Sequence, residues 1–403
     1  MQSRFFCQQR LFVFLMLVCV GFVAEAQHIR KDAFPPEEEN IPKSSLTMAL
    51  SISDLYHWDC YPTYPTYIVY MNYLAQRYPH LCSLDTIGVS VKGRLILALH
   101  IHGNSTPEDA PQFFYSSTIH GDELTGYQLM LHLCDTLLSS YGTDTMLTQL
   151  LNTTHIYINP LSNPDGTYHG GDYTVSSSWR YNANRVDLNR NYPDPFGTPP
   201  LDPIQPENEA MMNYVGQHHF LMAVNIHGGD QVCNLPWDSF TSVRQQHPDQ
   251  LWFQQICQRM VDSCRRVDPL FFTAVCPSGV IVGGDWYVIH NGRQDYMNYY
   301  HSIREITLEI SQAKRLPADQ LPHYWRVLAT PLLRYIAEIH NAPTHTVSLT
   351  SPLPEELRVY PNPTTGPVIV EKGTQRYEYD LSRYPAGVYP LKVGNTTCKI
   401  IKL

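Results

Sequence analysis

Apolar and polar positions alternate along the middle of the chain with two different periods. Five short runs are almost wholly apolar, and they read "RLILALHIH", "QFFYSST", "THIYINPL", "FLMAVNIH" and "EITLEIS". Such runs are typical of buried strands. Two longer stretches, "TGYQLMLHLCDTLLSSYG" and "DQLWFQQICQRMVDSCRRV", have helical periodicity, and Gly142 closes the first of them. Strands that alternate with helices predict an α/β fold with one sheet covered by helices on both faces.

The pattern changes at the start of the chain. Two arginines precede an apolar block from Leu11 to Val23, and small residues follow at Ala24 and Ala26. This order predicts a secretory signal peptide over residues 1–26, with cleavage after Ala26. The apolar block is too short for a stable membrane span, and no later segment reaches that length. We therefore expect an exported protein without a transmembrane segment once the signal is removed.

Composition divides the rest of the chain into four segments. Residues 27–48 are polar and contain prolines, so they predict a loose lead-in or pro-segment. The α/β pattern occupies residues 49–341. Residues 342–356 are rich in Thr, Ser and Pro, which is typical of a linker. Residues 357–403 hold short alternating runs between Gly and Pro turns, which predicts a small all-β module.

Overall composition excludes some functions. The 403 residues are 43% hydrophobic, which is enough for a large core, and a net charge of −9 gives no support for nucleic-acid binding. Of the ten cysteines, Cys7 and Cys19 leave with the signal peptide. The others allow disulfides in an oxidising compartment, but their pairing cannot be inferred from sequence. The chain contains no Cys-x-x-Cys pair, so the sequence does not indicate zinc bound by cysteine.

Three metal-binding side chains follow or end predicted strands. His120 and Glu123 come just after "QFFYSSTI", and His227 ends "FLMAVNIH" before two glycines. In open α/β sheets, ligands gather beyond the carboxyl ends of the strands. Two imidazole nitrogens and one carboxylate oxygen form a catalytic zinc set that leaves a position for water. The pair of His120 and Glu123 alone fits a polar turn, and His227 alone fits a structural histidine at a strand end, but together the three predict one zinc ion per chain.

A catalytic zinc also needs a proton acceptor for its water. Glu309 lies in "EITLEIS" between apolar residues, where a carboxylate is costly to bury unless it faces a site. Glu305 is the competing residue, at the beginning of the same strand. The pattern favours Glu309 as the general base.

These residues belong to motifs that resemble the zinc carboxypeptidases, and specifically the carboxypeptidase N/E/D branch. The resemblance runs from about Tyr64 to Ala337, and several motifs occur in the family's order. They are "SVKGRLILAL", "IHGDELTGYQL", "NPLSNPDGTY", "RYNANRVDLNRNYPDPF", "NIHGGDQVCNLPWD", "DWYVIHNGRQDYMNY" and "EITLEISQAKRLPADQLPHYW". The resemblance implies a single mixed-sheet domain that removes C-terminal residues from peptides or proteins. It also implies that His120, Glu123 and His227 bind zinc and that Glu309 acts as base and then acid.

Four further residues gain roles from the resemblance. Asn189 and Arg190, in "DLNRNYPD", would hold the C-terminal carboxylate of the substrate. Arg180 would polarise the scissile carbonyl and stabilise the oxyanion. Tyr287, in "DWYVIHNG", would close over the bound terminus. Outside these motifs, the three polar residues could equally lie on the surface and Tyr287 could be one of many tyrosines.

The resemblance also implies a preference for basic residues. Asp238 stands where this branch keeps an aspartate at the bottom of the specificity pocket, and Gln294 matches the polar residue of the same pocket. A buried carboxylate is relieved by a cationic partner, so we expect release of C-terminal Lys or Arg. The competing interpretation is that Asp238 caps a turn with Ser239.

The sequence departs from the family in two places. The family usually has two glycines before the pocket glutamine, whereas this chain has Asn291, Gly292 and Arg293. Arg293 either weakens the basic preference or faces solvent. The branch also usually carries a transthyretin-like β-sandwich after the catalytic domain, and residues 357–403 do not match one.

Instead, residues 357–403 resemble the C-terminal sorting domain of the Gram-negative type IX secretion system. The resemblance rests on "VYPNPTTG", "YPAGVYPLKV" and the terminal "KIIKL". It implies that the type IX machinery exports the chain to the cell surface or the medium.

The leading hypothesis is an extracellular zinc carboxypeptidase of basic specificity that acts as a monomer. One alternative is a peptidoglycan peptidase that cuts stem peptides next to diaminopimelate. The other is a surface binding module that keeps the metal without turnover, but no zinc ligand and no base is lost from this sequence.

Overall fold

The computed structural model describes residues 45–343, 357–360, 365–372, 375–383, 387–393 and 396–402. The predicted signal peptide lies outside the described residues, as do all but the last four positions of the polar segment and all but the first two of the linker. None of the described helices is both long and apolar enough to cross a membrane.

A central sheet of eight strands organises the described part of the chain. In sequence order the strands are β3 (Cys82–Val89), β4 (Leu95–Ile101), β5 (Gln112–Ser117), β6 (His155–Asn159), β7 (Phe220–His227), β8 (Asp230–Leu235), β9 (Val280–Val282) and β10 (Arg304–Ser311). They lie in the order β3-β4-β6-β5-β7-β10-β8-β9. The four central strands β6, β5, β7 and β10 are parallel, while β4 and β8 run antiparallel to them on either side. The carboxyl ends of the four central strands therefore share one edge of a mixed sheet.

Helices connect the strands and cover both faces of the sheet. In sequence order they are α1 (Ile52–Leu55), α2 (Tyr64–Arg77), α3 (Thr125–Ser139), α4 (Thr145–Thr153), α5 (Pro164–Thr167), α6 (Pro206–Gly216), α7 (Gln250–Arg265), α8 (Gly283–Trp286), α9 (Arg293–His301) and α10 (Leu321–Ala337). Short 3₁₀ turns occur at Leu188–Arg190, Ala318–Gln320 and Glu338–Asn341, and β1 (Met48–Ala49) pairs with β2 (Tyr61–Pro62). Local chemistry starts several helices: the side chain of Thr63 accepts the Thr66 N–H before α2, and that of Asp144 accepts the Leu147 N–H before α4.

Side-chain alternation on the central strands builds a separate core on each face. On β5, Phe113 and Tyr115 join a large cluster with α2, α3, α7 and α10, whereas Phe114 joins a second cluster with α6 and α9. On β10, the apolar residues Ile306 and Leu308 belong to the first cluster. Burial on both faces explains why the central strands are nearly continuous apolar runs.

The predicted fold class is confirmed. All five predicted strands are present, and the two predicted helices are α3 and α7. The first of these ends at Ser139, before Gly142, which adopts φ +82° in the following turn. The cysteines at positions 60, 82, 134, 233, 257, 264 and 276 are free thiols.

The described segments after residue 356 form two small antiparallel sheets. Their strands are β11 (Leu357–Tyr360), β12 (Pro367–Lys372) and β13 (Gln375–Asp380) in one sheet, and β14 (Gly387–Val393) and β15 (Thr396–Lys402) in the other. Val368, Leu381 and Ile400 form a small buried cluster of their own. An all-β character was predicted for this part of the chain.

Candidate metal centre and specificity pocket

The parallel strands β5 and β7 bring three donor residues together. His120 and Glu123 lie in the turn between β5 and α3, and His227 is the last residue of β7. Each of the three is 3% exposed. One ligand atom from each lies within 4.8 Å of the others, and no other group of this kind occurs among the described residues. The sequence-predicted ligand set is thus assembled at the carboxyl edge of the sheet.

The inner nitrogens of both histidines face the Glu123 carboxylate. Oε1 of Glu123 lies 2.9 Å from Nδ1 of His120, and Oε2 lies 2.9 Å from Nδ1 of His227. The two Nδ1 atoms are 3.1 Å apart. The Gly228 N–H donates to Oε2 at 3.1 Å and so orients the carboxylate. The two Nδ1 atoms and the Glu123 carboxylate oxygens therefore lie close together.

The outer nitrogens of the same rings contact polar side chains. Nε2 of His120 lies 3.2 Å from Oδ1 of Asp187, and Nε2 of His227 lies 2.8 Å from Nδ2 of Asn225. Partners of this kind fix the orientation of metal-binding imidazoles. Burial lowers the pKa of His227 to about 4, so the ring is neutral near pH 7, as a metal ligand must be. The donor set and its buried setting therefore fit zinc.

Lys314 is a neighbour of the donors that sequence reasoning missed. Its Nζ lies 3.5 Å from Oε1 of Glu123 and 3.7 Å from Oδ2 of Asp122. Burial alone would raise the pKa of Glu123, but His120, Lys314 and His227 outweigh it and hold the pKa well below the ordinary value. The sequence offered a way to find Lys314, since it lies five positions after Glu309 in the same motif.

Glu309 lies beside the donors because of strand register. It pairs with His227 across the β7–β10 ladder, and adjacent parallel strands point paired side chains to the same face. The residue is 9% exposed, and within the described part of the chain its Oε2 has no hydrogen-bond partner. Burial, followed by the charges of Glu123 and Asp230, raises its pKa well above the usual range.

Glu305, the competing candidate for the base, forms an ion pair with Arg293. Its carboxylate is fully buried and lies 2.9 Å from Nη2 of Arg293. The competing base is therefore committed to an ion pair inside the fold.

Arg180 lies at the edge of the donor cluster. Its Nε and Nη2 are both 2.8 Å from Oδ2 of Asp187, whose other oxygen contacts His120. Its Nη1 lies 3.2 Å from Nδ1 of His120 and 3.7 Å from Oε1 of Glu123. Asp187 was not singled out from the sequence, although it opens the "DLNRN" motif. It couples the guanidinium to the metal-binding ring.

Asn189 and Arg190 lie in the 3₁₀ turn that follows Asp187. Oδ1 of Asn189 accepts the backbone N–H of Arg293 at 2.9 Å, which leaves the amide NH₂ available as a donor. The charge of Arg190 acts to lower the pKa of both Tyr287 and Asp238, against the effect of their burial.

Tyr287 directly follows α8 and is 39% exposed. Burial raises the pKa of its phenol; Glu309 and Asp238 act in the same direction, and Arg190 and Arg180 act against it.

Asp238 lies in a buried polar cluster with Asn234 and Gln294. It is 3% exposed, and its Oδ1 accepts hydrogen bonds from Nδ2 of Asn234 and Nε2 of Gln294, both at 3.0 Å. Oε1 of Gln294 in turn accepts the Thr307 N–H at 2.6 Å. A Cβ on Gly283 would lie 1.9 Å from Oδ1 of Asp238, so only glycine leaves this space free. Both amides that contact the carboxylate are neutral.

The turn interpretation of Asp238 is wrong. The N–H groups of Asp238 and Ser239 are accepted by the carboxylate of Asp295, at 2.8 and 2.9 Å. Burial, and after it Asp295, raises the pKa of Asp238 well above its ordinary value, while Asn234 and Arg190 act in the opposite direction. Burial also raises the pKa of Asp295 to about 6. Burial and a neighbouring carboxylate thus disfavour the charged form of Asp238 as long as no cation lies beside it.

The departure from the family pattern at residues 291–293 has structural reasons. Asn291 adopts φ +61°, a conformation that Asn tolerates well, and its Nδ2 donates to the carbonyls of Tyr192 and Thr198 at 2.9 and 2.8 Å. Arg293 does not face solvent, because it is fully buried. Its guanidinium pairs with Glu305, bonds Ser116 Oγ and lies 5.3 Å from the centre of the Phe114 ring. Its charge is thus balanced within the core.

Comparison with known proteins identifies relatives of this chain. The profile of the zinc carboxypeptidase family matches residues 67–330. Carboxypeptidase D of Rattus norvegicus is 32% identical over 280 residues, which cover 66% of this chain and 20% of the rat protein. Carboxypeptidase M of Mus musculus is 34% identical over 282 residues, which cover 66% of this chain and 63% of the mouse protein. The chain thus spans less than two thirds of the length of either relative.

Solved structures show the same fold. The crystal structure of thrombin activatable fibrinolysis inhibitor matches with a TM-score of 0.60 at 19% identity, over 73% of this chain and 80% of that chain. Carboxypeptidase A from Helicoverpa armigera matches with a TM-score of 0.59 at 21% identity, over 71% and 75% of the two chains.

Proposed function

Because the chain belongs to the zinc carboxypeptidase family, we propose that it is an exported enzyme that removes Lys or Arg from the C-termini of peptides or proteins. Metallocarboxypeptidase activity follows from the family. The basic preference, the residue roles and the export route are the proposed parts. One observation carries the proposal: a buried His-Glu-His donor set beside the Glu309 carboxylate, whose Oε2 has no hydrogen-bond partner among the described residues.

In this proposal His120, Glu123 and His227 hold one zinc ion. When bound, zinc lowers the pKa of a water to about 7 and polarises a carbonyl group. Glu309 accepts the proton of the attacking water and passes it to the nitrogen of the leaving amino acid. Its raised pKa suits a group that must both take up and release a proton.

The substrate terminus is held by donors on one side of the cluster. Arg190 and the NH₂ of Asn189 bind the C-terminal carboxylate, and the Arg293 N–H keeps the Asn189 amide in that orientation. Arg180 donates to the carbonyl oxygen as negative charge develops there, while Asp187 keeps the guanidinium in place. Tyr287 closes over the bound terminus and excludes water.

The side chain that is released enters the pocket of Asp238. A buried carboxylate with only amide partners is stabilised by a cation, so a lysine ammonium or an arginine guanidinium binds there. An apolar side chain would leave that carboxylate without a counter-charge. Gln294 both bonds Asp238 and lines the pocket, so it adds a polar contact for the same cation.

The experiment is an assay of released amino acids. The mature protein is incubated with short peptides that end in Lys, Arg or Phe and with a stem peptide that ends next to diaminopimelate. We expect release of Lys and Arg, loss of activity with a chelator, and recovery with Zn²⁺. His227→Ala is the inactive control. Preferential release of Phe would refute the basic pocket, and release from the stem peptide alone would favour the peptidoglycan alternative.

A further inference from the structure

Three histidines lie on one face of the sheet, away from the catalytic donors. His100 is in β4, His102 follows the end of that strand, and His155 begins β6. In the β4–β6 ladder His100 pairs with Tyr157, and Ile101 pairs with Ile156. Continuing that register places His102 opposite His155, and side chains two residues apart share a face. His155 marks the amino end of a central strand, so this group lies at the sheet edge opposite to the catalytic one.

The spacing of these rings is close to that of the catalytic pair. Nε2 of His100 lies 3.0 Å from Nδ1 of His155, compared with 3.1 Å between the two catalytic Nδ1 atoms. The ring centroids are 5.0 Å apart for His100 and His155, 5.1 Å for His100 and His102, and 5.9 Å for His102 and His155. Two imidazole nitrogens at such a distance can share one metal ion.

The outer nitrogens of two rings contact backbone carbonyls. Nε2 of His155 lies 2.9 Å from the Pro107 oxygen, and Nδ1 of His102 lies 3.0 Å from the Gly103 oxygen. A carbonyl oxygen only accepts, so these nitrogens carry the ring protons. Nε2 of His102 then keeps its lone pair, and Nδ1 of His155 accepts the proton of His100 Nε2, which a metal ion bound between these two rings would displace.

The third ring is also suited to binding. His100 stacks on Tyr157, with ring centroids 4.2 Å apart and planes that differ by 1°. All three histidines are only partly buried, so an ion can reach them from solvent.

We propose that His100, His102 and His155 bind a second divalent transition-metal ion, such as Zn²⁺. All-imidazole donors suit Zn²⁺, Ni²⁺ and Cu²⁺ and do not suit Ca²⁺ or Mg²⁺. The donor nitrogens of all three residues do not lie within 4.8 Å of one another, so binding by all three requires the His102 side chain to move and give up its contact with the Gly103 oxygen. The ion joins β4, β6 and the loop that carries Pro107, and it stabilises that edge of the sheet.

The test is the number of zinc ions bound by the full chain. The metal-free protein is equilibrated with Zn²⁺ alone, and the bound metal is measured by elemental analysis. We expect two ions in the wild type and one each in His102→Gln and His155→Gln, which keep a polar side chain. His219→Gln, at an exposed histidine, is the matched control and keeps two. His227→Ala loses the catalytic ion and retains the other.

Thermal unfolding gives a second measurement that does not depend on turnover. Zn²⁺ added to protein that already holds its catalytic ion raises Tm in the wild type and in His219→Gln, but not in His155→Gln. Circular dichroism confirms that the variants fold. Saturation of the wild type at one ion, or persistence of a second ion in the His102→Gln/His155→Gln double variant, would overturn the proposal.

Discussion

At the scale of single residues, the site sets three buried carboxylates to different tasks through their neighbours. Glu123 is surrounded by His120, His227 and Lys314, which hold its pKa low and keep it charged as a ligand. Glu309 is buried beside that charge, which raises its pKa. Asp238 is buried, and burial and after it Asp295 raise its pKa. In our proposal the same functional group serves as ligand, base and specificity determinant because of what surrounds it.

The base assignment predicts the effect of Glu309→Gln. The amide keeps the size of the side chain but cannot accept the proton of the water, so kcat should fall by about 10²–10⁴. Zinc content, measured by elemental analysis, should stay at the wild-type level. Glu209→Gln, on the exposed surface of α6, is the control and should change neither quantity. A variant of Glu309 that retains wild-type kcat would contradict the assignment.

The pocket assignment predicts the effect of Asp238→Asn and a dependence on pH. Loss of the buried charge should lower kcat/KM for Lys-terminated peptides by about a hundredfold or more, equivalent to roughly 3 kcal/mol, and change that for apolar-terminated peptides far less. The pKa of Asp238 is raised, so its charge is lost as pH falls at values above those where an exposed aspartate titrates. In the wild type, KM for Lys peptides should therefore rise on acidification. Equal losses on both peptides, or the same pH profile in the variant, would refute this assignment.

At the scale of elements, the position of Gln294 beside Asp238 depends on the contacts between α9 and β10. Arg293 and Gln294 begin the helix, and Glu305 lies near the start of the strand. Arg293 reaches Glu305 and Ser116 through the core, while Gln294 accepts the N–H of Thr307. The helix that carries the pocket amide is thus fixed by charged and amide contacts to the strand that carries the base.

This arrangement predicts a strong coupling between Arg293 and Glu305. Arg293→Met should lower the free energy of unfolding by about 3–5 kcal/mol, because it leaves a buried carboxylate without its partner. The Arg293→Met/Glu305→Gln double variant should lose less than the sum of the two single changes. Arg259→Met, in a surface pair with Glu338, is the control and should cost about 0–1 kcal/mol. Additive losses in denaturant titrations would show that the pair is not coupled.

Among the strands of the central sheet, the sequence predicted those with nearly continuous apolar runs and missed β3, β8 and β9. Strands β5, β7 and β10 are buried on both faces, so their runs are unmistakable. Strand β3 alternates with exposed positions, and β9 has three residues, so neither has a strong pattern. The metal donors were predictable because they follow strand ends. The role of Arg293 was not, because its partners Ser116 and Glu305 are defined only by the packed fold.

At the scale of the whole molecule, the segment after residue 356 has strands and a small buried cluster of its own. Its resemblance to a type IX sorting domain remains a prediction. We expect that deletion of residues 357–403 leaves kcat/KM of the purified protein within about twofold, since none of the site residues lies there. In a bacterium with type IX secretion, the deletion should keep the enzyme inside the cell envelope. Cell fractionation with the peptide assay measures both effects, and unchanged display on the surface would contradict the sorting role.

The pairing of Glu309 with His227 has a consequence for how this scaffold tolerates change. Adjacent strands are separated by about 4.8 Å, so the ladder itself sets the gap between the two backbones. Loops elsewhere can therefore be lengthened, shortened or exchanged by grafting without altering that interval. A designer who seeks a new selectivity would do best to vary the connections around the rim and leave these two β-strands untouched.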